Sequence, residues 1–150
     1  MPKIELVTVV RAPAAVVFDA ARDVEVHLHS LPRTCERVIA GVTNGLISGG
    51  DSVTWRARYF GVWWTLSSRV DVFEPPHRFR DVMVSGPFAR FEHDHFFDQV
   101  GELTTMTDLV VYAAPLGLLG RIAGRLFLHR TVRGIIEARA AAIRSAAERD

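Results

Sequence analysis

LGLLGRIAGRLFLHRTVRGIIEARAAAIRSAAE, residues 116–148, follows Pro115 and changes the period of the chain. Ile122, Leu126, Val132, Ile136, Ala140 and Ile143 approximate one face of a helix, and arginines occupy the others. The spacing predicts one helix from about 118 to 148, on the order of 45 Å long. A helix of that length must bury its apolar stripe against a large partner. What that partner is depends on everything upstream.

Upstream the pattern is β. KIELVTVVR (3–11) is rich in β-branched residues and reads as a first strand. Ala12-Pro13 breaks it, proline suits a first helical turn, and AAVVFDAARDVEVHL (14–28) sets Val17, Phe18 and Ala21 at helical spacing. A second short helix runs to Leu31, where Pro32 ends it. From Glu36 onward turn signals recur at Asn44-Gly45, Gly49-Gly50-Asp51, Phe60-Gly61, Glu74-Pro75-Pro76, Gly86-Pro87 and Gln99-Val100-Gly101. They delimit six strands, near 36–43, 51–60, 63–74, 78–85, 89–98 and 104–113. Links this short join antiparallel neighbours. The expectation is an α+β fold: a seven-stranded antiparallel sheet, two short helices between strands 1 and 2, and the long helix on the concave face.

A length of 150 residues favours one domain spanning 1–150. A net charge of +1 gives no general argument for a polyanionic partner. Locally, Arg121–Asp150 carries seven arginines against three acids. They alternate with alanine and glutamate and lack an aromatic platform, so the reading is a solvated helix face and no nucleic-acid partner. The single Cys35 excludes an intramolecular disulfide, and no base lies beside it in sequence to make it a nucleophile. MPKIELVTVVRAP lacks the features of a signal peptide. LVVYAAPLGLLGRIAGRLFL (109–128) is interrupted by Pro115, Arg121 and Arg125, short of the about 20 predominantly apolar residues a membrane span needs. The expectation is a soluble cytoplasmic protein without an integral membrane segment, its oligomeric state open.

Four phrases carry a resemblance: ERVIAGVTNGLISGGDSVTWRARYFGV (36–62), PPHRFRDVMVSGPF (75–88), ARFEHDHFF (89–97) and APLGLLGRIAGRLF (114–127). With the order of elements, they resemble the START-like or birch-pollen-allergen-like superfamily, including the polyketide cyclase/dehydrase group, over essentially the whole chain. The resemblance implies a helix-grip fold, in which a curved sheet wraps the C-terminal helix around a hydrophobic cavity. It implies a small hydrophobic ligand, such as a lipid or polyketide. It supplies no catalytic set, and fold analogy assigns no activity.

Strand alternation puts Phe91, His93, His95 and Phe97 on the inner face, and Arg90, Glu92, Asp94 and Asp98 on the outer. The apparent His-Asp-His run is therefore split by the pleat. Asp81 on one neighbouring strand and Asp108 on the other are expected to flank His93, raising its pKa and making the three candidate acid–base residues. His93 and His95 offer two imidazoles and no metal motif accompanies them, so neither a metal nor another cofactor is expected. Trp55, Trp64, Phe79, Phe91, Met106, Tyr112 and Ile122, with Asp81, His93, His95 and Asp108, are the expected ligand-binding set. His27 and His29 read as solvent-facing or gate-lining, His129 as packed or interfacial. Three functions are carried: binding of a small hydrophobic molecule, a cyclase/dehydratase- or hydrolase-like enzyme using the His–Asp cluster, and a protein-interaction or regulatory module using Trp63 or the arginine face.

Overall fold

The computed structural model describes residues 2–114 and 122–149, with the side chains of Ile122 and Ala123 excepted. Seven strands form one antiparallel sheet: β1 (Lys3–Val10), β2 (Arg37–Gly41), β3 (Ser52–Tyr59), β4 (Val62–Glu74), β5 (Arg78–Ser85), β6 (Arg90–Val100) and β7 (Leu103–Ala113). Their spatial order is β1-β7-β6-β5-β4-β3-β2, so the two edge strands are the first two in sequence. Between them run α1 (Ala14–Ala21), α2 (Val24–His29) and a 3-10 turn at Pro32–Thr34; α3 spans Ile122–Glu148. Register shifts interrupt β2 between Val38 and Ala40, and β4 between Ser67 and Ser68 and between Val70 and Val72. An extra residue on one strand bends it and increases its twist, which curves the sheet around α3.

Local chemistry explains where the elements break. The helical run 14–28 divides because Asp23 takes an extended conformation and its Oδ1 accepts from the Glu25 backbone N–H at 2.9 Å, starting a new helix. The β3–β4 hairpin turns on Phe60 and Gly61, both left-handed (φ 54° and 74°), the geometry that matches strand twist in a two-residue turn. The expected start of the long helix near 118 falls outside the described residues. Leu126, placed by periodicity on the buried stripe, is 60% exposed. Its turn of α3 lies near the β3–β4 tip, where Phe127 meets Phe60 (ring centroids 5.1 Å), beyond the tightly packed part of the sheet.

Packing differs along the helix. At its C-terminal end Ala140, Ile143 and Ala147 join Val10, Phe18, Val70, Phe79, Phe97 and Met106 in one close cluster, with Phe18 edge-on to both Phe79 and Phe97. Midway, Val132 and Ile136 pack on Ile4, Val110 and Tyr112. Val24, Val53 and Trp55 form a third cluster under α2. Elsewhere on the same concave face, Leu66, Ser68, Asp81, Met83 and Phe91 are only half-buried, and Trp64 is 42% exposed. Among the described residues, one end of the helix–sheet space is tightly packed and the other is more exposed.

Candidate ligand-binding site

β5, β6 and β7 bring four ionisable side chains together on the concave face. The pairing sets Asp81 opposite His93 and Asp108 opposite His95. The hydrogen bonds run diagonally. His95 Nε2 and Asp81 Oδ2 are 3.0 Å apart, and His93 Nε2 and Asp108 Oδ1 are 2.8 Å apart. His95 Nδ1 also approaches Asp108 Oδ1 at 3.2 Å, as an ion-pair contact whose angle falls short of a hydrogen bond. The two imidazoles stack on each other with centroids 3.8 Å apart, and His95 stacks on Phe79 at 4.2 Å.

The imidazole held between two carboxylates is thus His95, where the sequence pointed to His93. The hairpin turn explains the difference. It occupies Gly101–Glu102, between the end of β6 and the start of β7. Shifting a hairpin's pivot by one residue moves every cross-strand partner by two, which keeps Asp108 on the inner face but beside the other histidine. Burial is the largest influence on His95 and would depress its pKa. Asp108 and Asp81 outweigh it and push the pKa up to about 9. Burial likewise opposes ionisation of Asp81 and Asp108, but the adjoining imidazoles hold both carboxyls below the usual range.

A second buried cluster lies at α2. Glu36 is held by the Arg139 fork, with contacts of 3.1 and 3.3 Å, and by His27 Nε2 at 3.4 Å. Arg139 also donates to the His27 carbonyl and to Ser30 Oγ. The His27 ring stacks on Trp55 at 3.8 Å. Burial first, and the Arg139 charge second, lower the His27 pKa to about 4. Burial would raise Glu36, but His27 and Arg139 bring it down to about 2.

Asp81 and His27 each keep 27% of their side-chain surface accessible. Yet burial is the largest single influence on both, and each feels the other's charge. The two clusters are thus close enough to interact electrostatically, and Asp81 shares the concave face with the half-buried row Leu66, Ser68 and Met83.

The family model for polyketide cyclase/dehydrase and lipid transport matches residues 1–148. The chain belongs to that family. Solved structures with the same fold include TTHA0849 from Thermus thermophilus, 21% identical over 97% of each chain with a TM-score of 0.75. The Zhui aromatase/cyclase from a Streptomyces species is 22% identical over 99% of this chain and 94% of its own, with a TM-score of 0.74. A START superfamily protein from Mycobacterium smegmatis is 15% identical over 98% and 97%, also with a TM-score of 0.74. No curated protein matches in sequence. The helix-grip arrangement seen here is the fold of these solved structures. No helix among the described residues is long and apolar enough to cross a membrane.

Within this family fold, the expected lining residues separate into groups. Trp55 is buried beneath His27, Phe91 is half-buried beside Phe88, and Trp64 stands on the concave face with its Nε1 donating to the Tyr59 carbonyl at 3.3 Å. Phe79 and Met106 instead belong to the filled end, locked against Phe18 and Phe97. Tyr112 is buried in the middle cluster, its hydroxyl 3.0 Å from His129 Nδ1. The side chain of Ile122 lies outside the described residues. A described cleft of about 430 Å³ lies elsewhere, between β1 and α3, lined by Leu6, Thr8, Ala140, Ala141, Arg144 and Ser145 among others; none of the expected residues touches it.

Asp81, His93 and His95 bring one potential metal-ligand atom each within 4.8 Å of one another. Sequence reasoning missed the Glu36–Arg139–His27 cluster, placing His27 at a solvent face or gate. Glu36 and Arg139 are 103 positions apart, and no local pattern connects them.

Proposed function

We propose that the protein binds a small, largely apolar molecule on the open part of the concave face, with the ligand's polar group anchored at the Asp81–His95–Asp108–His93 network. One observation carries this reading: the Asp81 carboxylate, hydrogen-bonded to buried His95, keeps 27% of its side-chain surface accessible on a concave face that also carries Trp64, Leu66, Met83 and Phe91 incompletely buried. Apolar walls with a few convergent polar groups are the usual make-up of a small-molecule site. Family membership supports the same class of ligand. The test is titration with Nile red, a neutral apolar dye, alongside native mass spectrometry of protein purified from its own organism. One dye per chain is expected, with binding lost in Ser68→Trp, which fills the space. Binding that does not saturate, or that ignores Ser68→Trp, sinks the reading.

A second reading, a cyclase/dehydratase- or hydrolase-like enzyme, is favoured by the contrast between the two clusters. His27 is neutral and His95 charged at neutral pH, and imidazoles pushed apart in this way suit a base and an acid. Turnover of the bound molecule that vanishes in His95→Gln, while binding survives, supports it. Recovery of the ligand chemically unchanged counts against it.

A further inference from the structure

The two edges of the sheet are not alike. β2 is interrupted by the register shift between Val38 and Ala40 and ends at Gly41. β1 pairs with β7 in unbroken register from Lys3 to Val10 and carries neither a proline nor a bulge. Proline, bulges and charge are the usual protection of an exposed edge. The only charges on β1 are Lys3 and Glu5, both in its first half. Among the described residues, the β1 backbone groups that point away from β7 have no hydrogen-bond partner. On the convex side of the same strand Val7 and Val9 are 56% and 50% exposed.

Beside this edge runs the cleft between β1 and α3, with Leu6 and Thr8 on its strand wall and Ala140, Ala141 and Ser145 on its helix wall. Side chains this small let another element come close. Arg133, Glu137, Arg144 and Glu148 border them on the same exposed face of α3, at helical spacing. From the N-terminal end their signs run plus, minus, then the alanine pair, then plus, minus. Reversing the helix turns that order into its own complement. In an antiparallel copy centred between Ala140 and Ala141, Arg144 faces the copy's Glu137, and Glu148 faces its Arg133. Within one chain these residues only pair along the helix, Arg133 with Glu137 at 3.7 Å and Arg144 with Glu148 at 3.4 Å. Exposed pairs of that kind contribute little to the fold.

We propose that the β1 edge and the adjoining outer face of α3 form an interface with a second copy of this chain, strand antiparallel to strand and helix antiparallel to helix. Such an interface is isologous, with one two-fold axis serving both pairings. Inner residues stay opposite inner residues only when facing residue numbers in the two β1 strands add to an even number. An axis through Val7 meets this, setting Leu6 opposite the copy's Thr8 and covering the exposed Val7 with its own equivalent. The same axis reaches α3 at the right height. Ile4 clusters with Val132 and Ile136, and Val10 clusters with Ala140, Ile143 and Ala147. The middle of β1 therefore lies level with the turn of α3 around Ala140. A foreign extended strand satisfies the edge alone, whereas a second copy also answers the sign pattern on the helix.

Sedimentation velocity from low to high micromolar concentration reads the association, and hydrogen exchange over the same range locates it. A dimer is expected to form as concentration rises, with exchange slowing in residues 3–10 and 133–148 as it does. Val7→Glu sets two carboxylates on the axis beside Glu5, and Arg144→Glu sets acid against the copy's Glu137. Both side chains are exposed, so both variants keep the fold, which circular dichroism checks. Each is expected to weaken dimerisation at least tenfold. The double variant Glu137→Arg with Arg144→Glu restores opposite signs across the axis and is expected to recover the dimer. A protein that stays monomeric at every concentration overturns the proposal and leaves the edge to a foreign strand. A dimer indifferent to Val7→Glu and Arg144→Glu uses another surface and overturns it equally.

Discussion

Raising the pH from 6 to 9.5 removes a proton that the folded protein holds far more tightly than the unfolded chain does. His95 has a folded pKa of about 9 because Asp108 and Asp81 together outweigh its burial; unfolded, it returns to about 6.5. The folded state therefore binds the extra proton between those two values, and stability falls with rising pH throughout that window. The contribution is fully present below about 6.5 and gone above about 9. Some 2.5 pKa units correspond to about 3 kcal/mol, a large fraction of a typical domain's stability. Urea denaturation at pH 6, 7, 8 and 9 measures the slope, and NMR titration of the His95 Cε1–H reads its pKa directly. The wild type is expected to lose most of that 3 kcal/mol across the series. The slope should flatten in His95→Gln, whose lower overall stability does not affect the comparison of slopes. A wild-type protein equally stable at pH 6 and pH 9, or a His95 resonance titrating near 6.5, would refute the carboxylate clamp.

On the acid side His27 behaves oppositely: its folded pKa of about 4 lies below the unfolded value, so stability is lost as pH falls from about 6.5 to 4. His27→Gln should remove that loss, as read by denaturation at pH 7 and pH 4.5. Arg139→Ala strands the buried Glu36 carboxylate and should cost about 3–5 kcal/mol in urea denaturation, with Arg139→Lys recovering only part because lysine lacks the planar fork. Phe18→Ala empties the centre of the filled end and should cost about 3–5 kcal/mol, seen as a lower thermal midpoint. Phe60→Asn puts a residue tolerant of left-handed backbone at a position with φ 54° and should stabilise the fold by roughly 1 kcal/mol, unless the Phe127 contact is worth as much.

Strand and helix order were legible because their signals are local. Val53, Trp55 and Ala57 alternate with polar neighbours, and the step from β7 to α3 changes the period from two to near four. The inner face of β7 was ambiguous, since Leu109 and Val111 are as apolar as Val110; burial of Met106, Asp108, Val110 and Tyr112 resolves it. Partner choice inside the site was not legible. Whether Asp108 stands directly across the ladder from His93 or from His95 turns on one residue in the β6–β7 turn. Nor does periodicity reveal that Phe79 and Met106 fill space while Asp81 borders it. That depends on how far α1 lowers Phe18 into the sheet.

The order of synthesis gives the sheet topology a consequence for the cell. β1 emerges from the ribosome before the other strands, yet its strand partner among the described residues is β7, whose Val111 pairs with Lys3. The cover for the concave face, α3, emerges last. Until then Ile4, Val110 and Tyr112 lack the Val132 and Ile136 side chains that cover them in the folded protein. Local hairpins such as β3–β4 and β6–β7 can close during translation, but the non-local β1–β7 pairing must await synthesis of β7. Chains stalled or cleaved before residue 122 are therefore sticky fragments, natural clients for chaperones and proteases, and the grip closes only once α3 has been made.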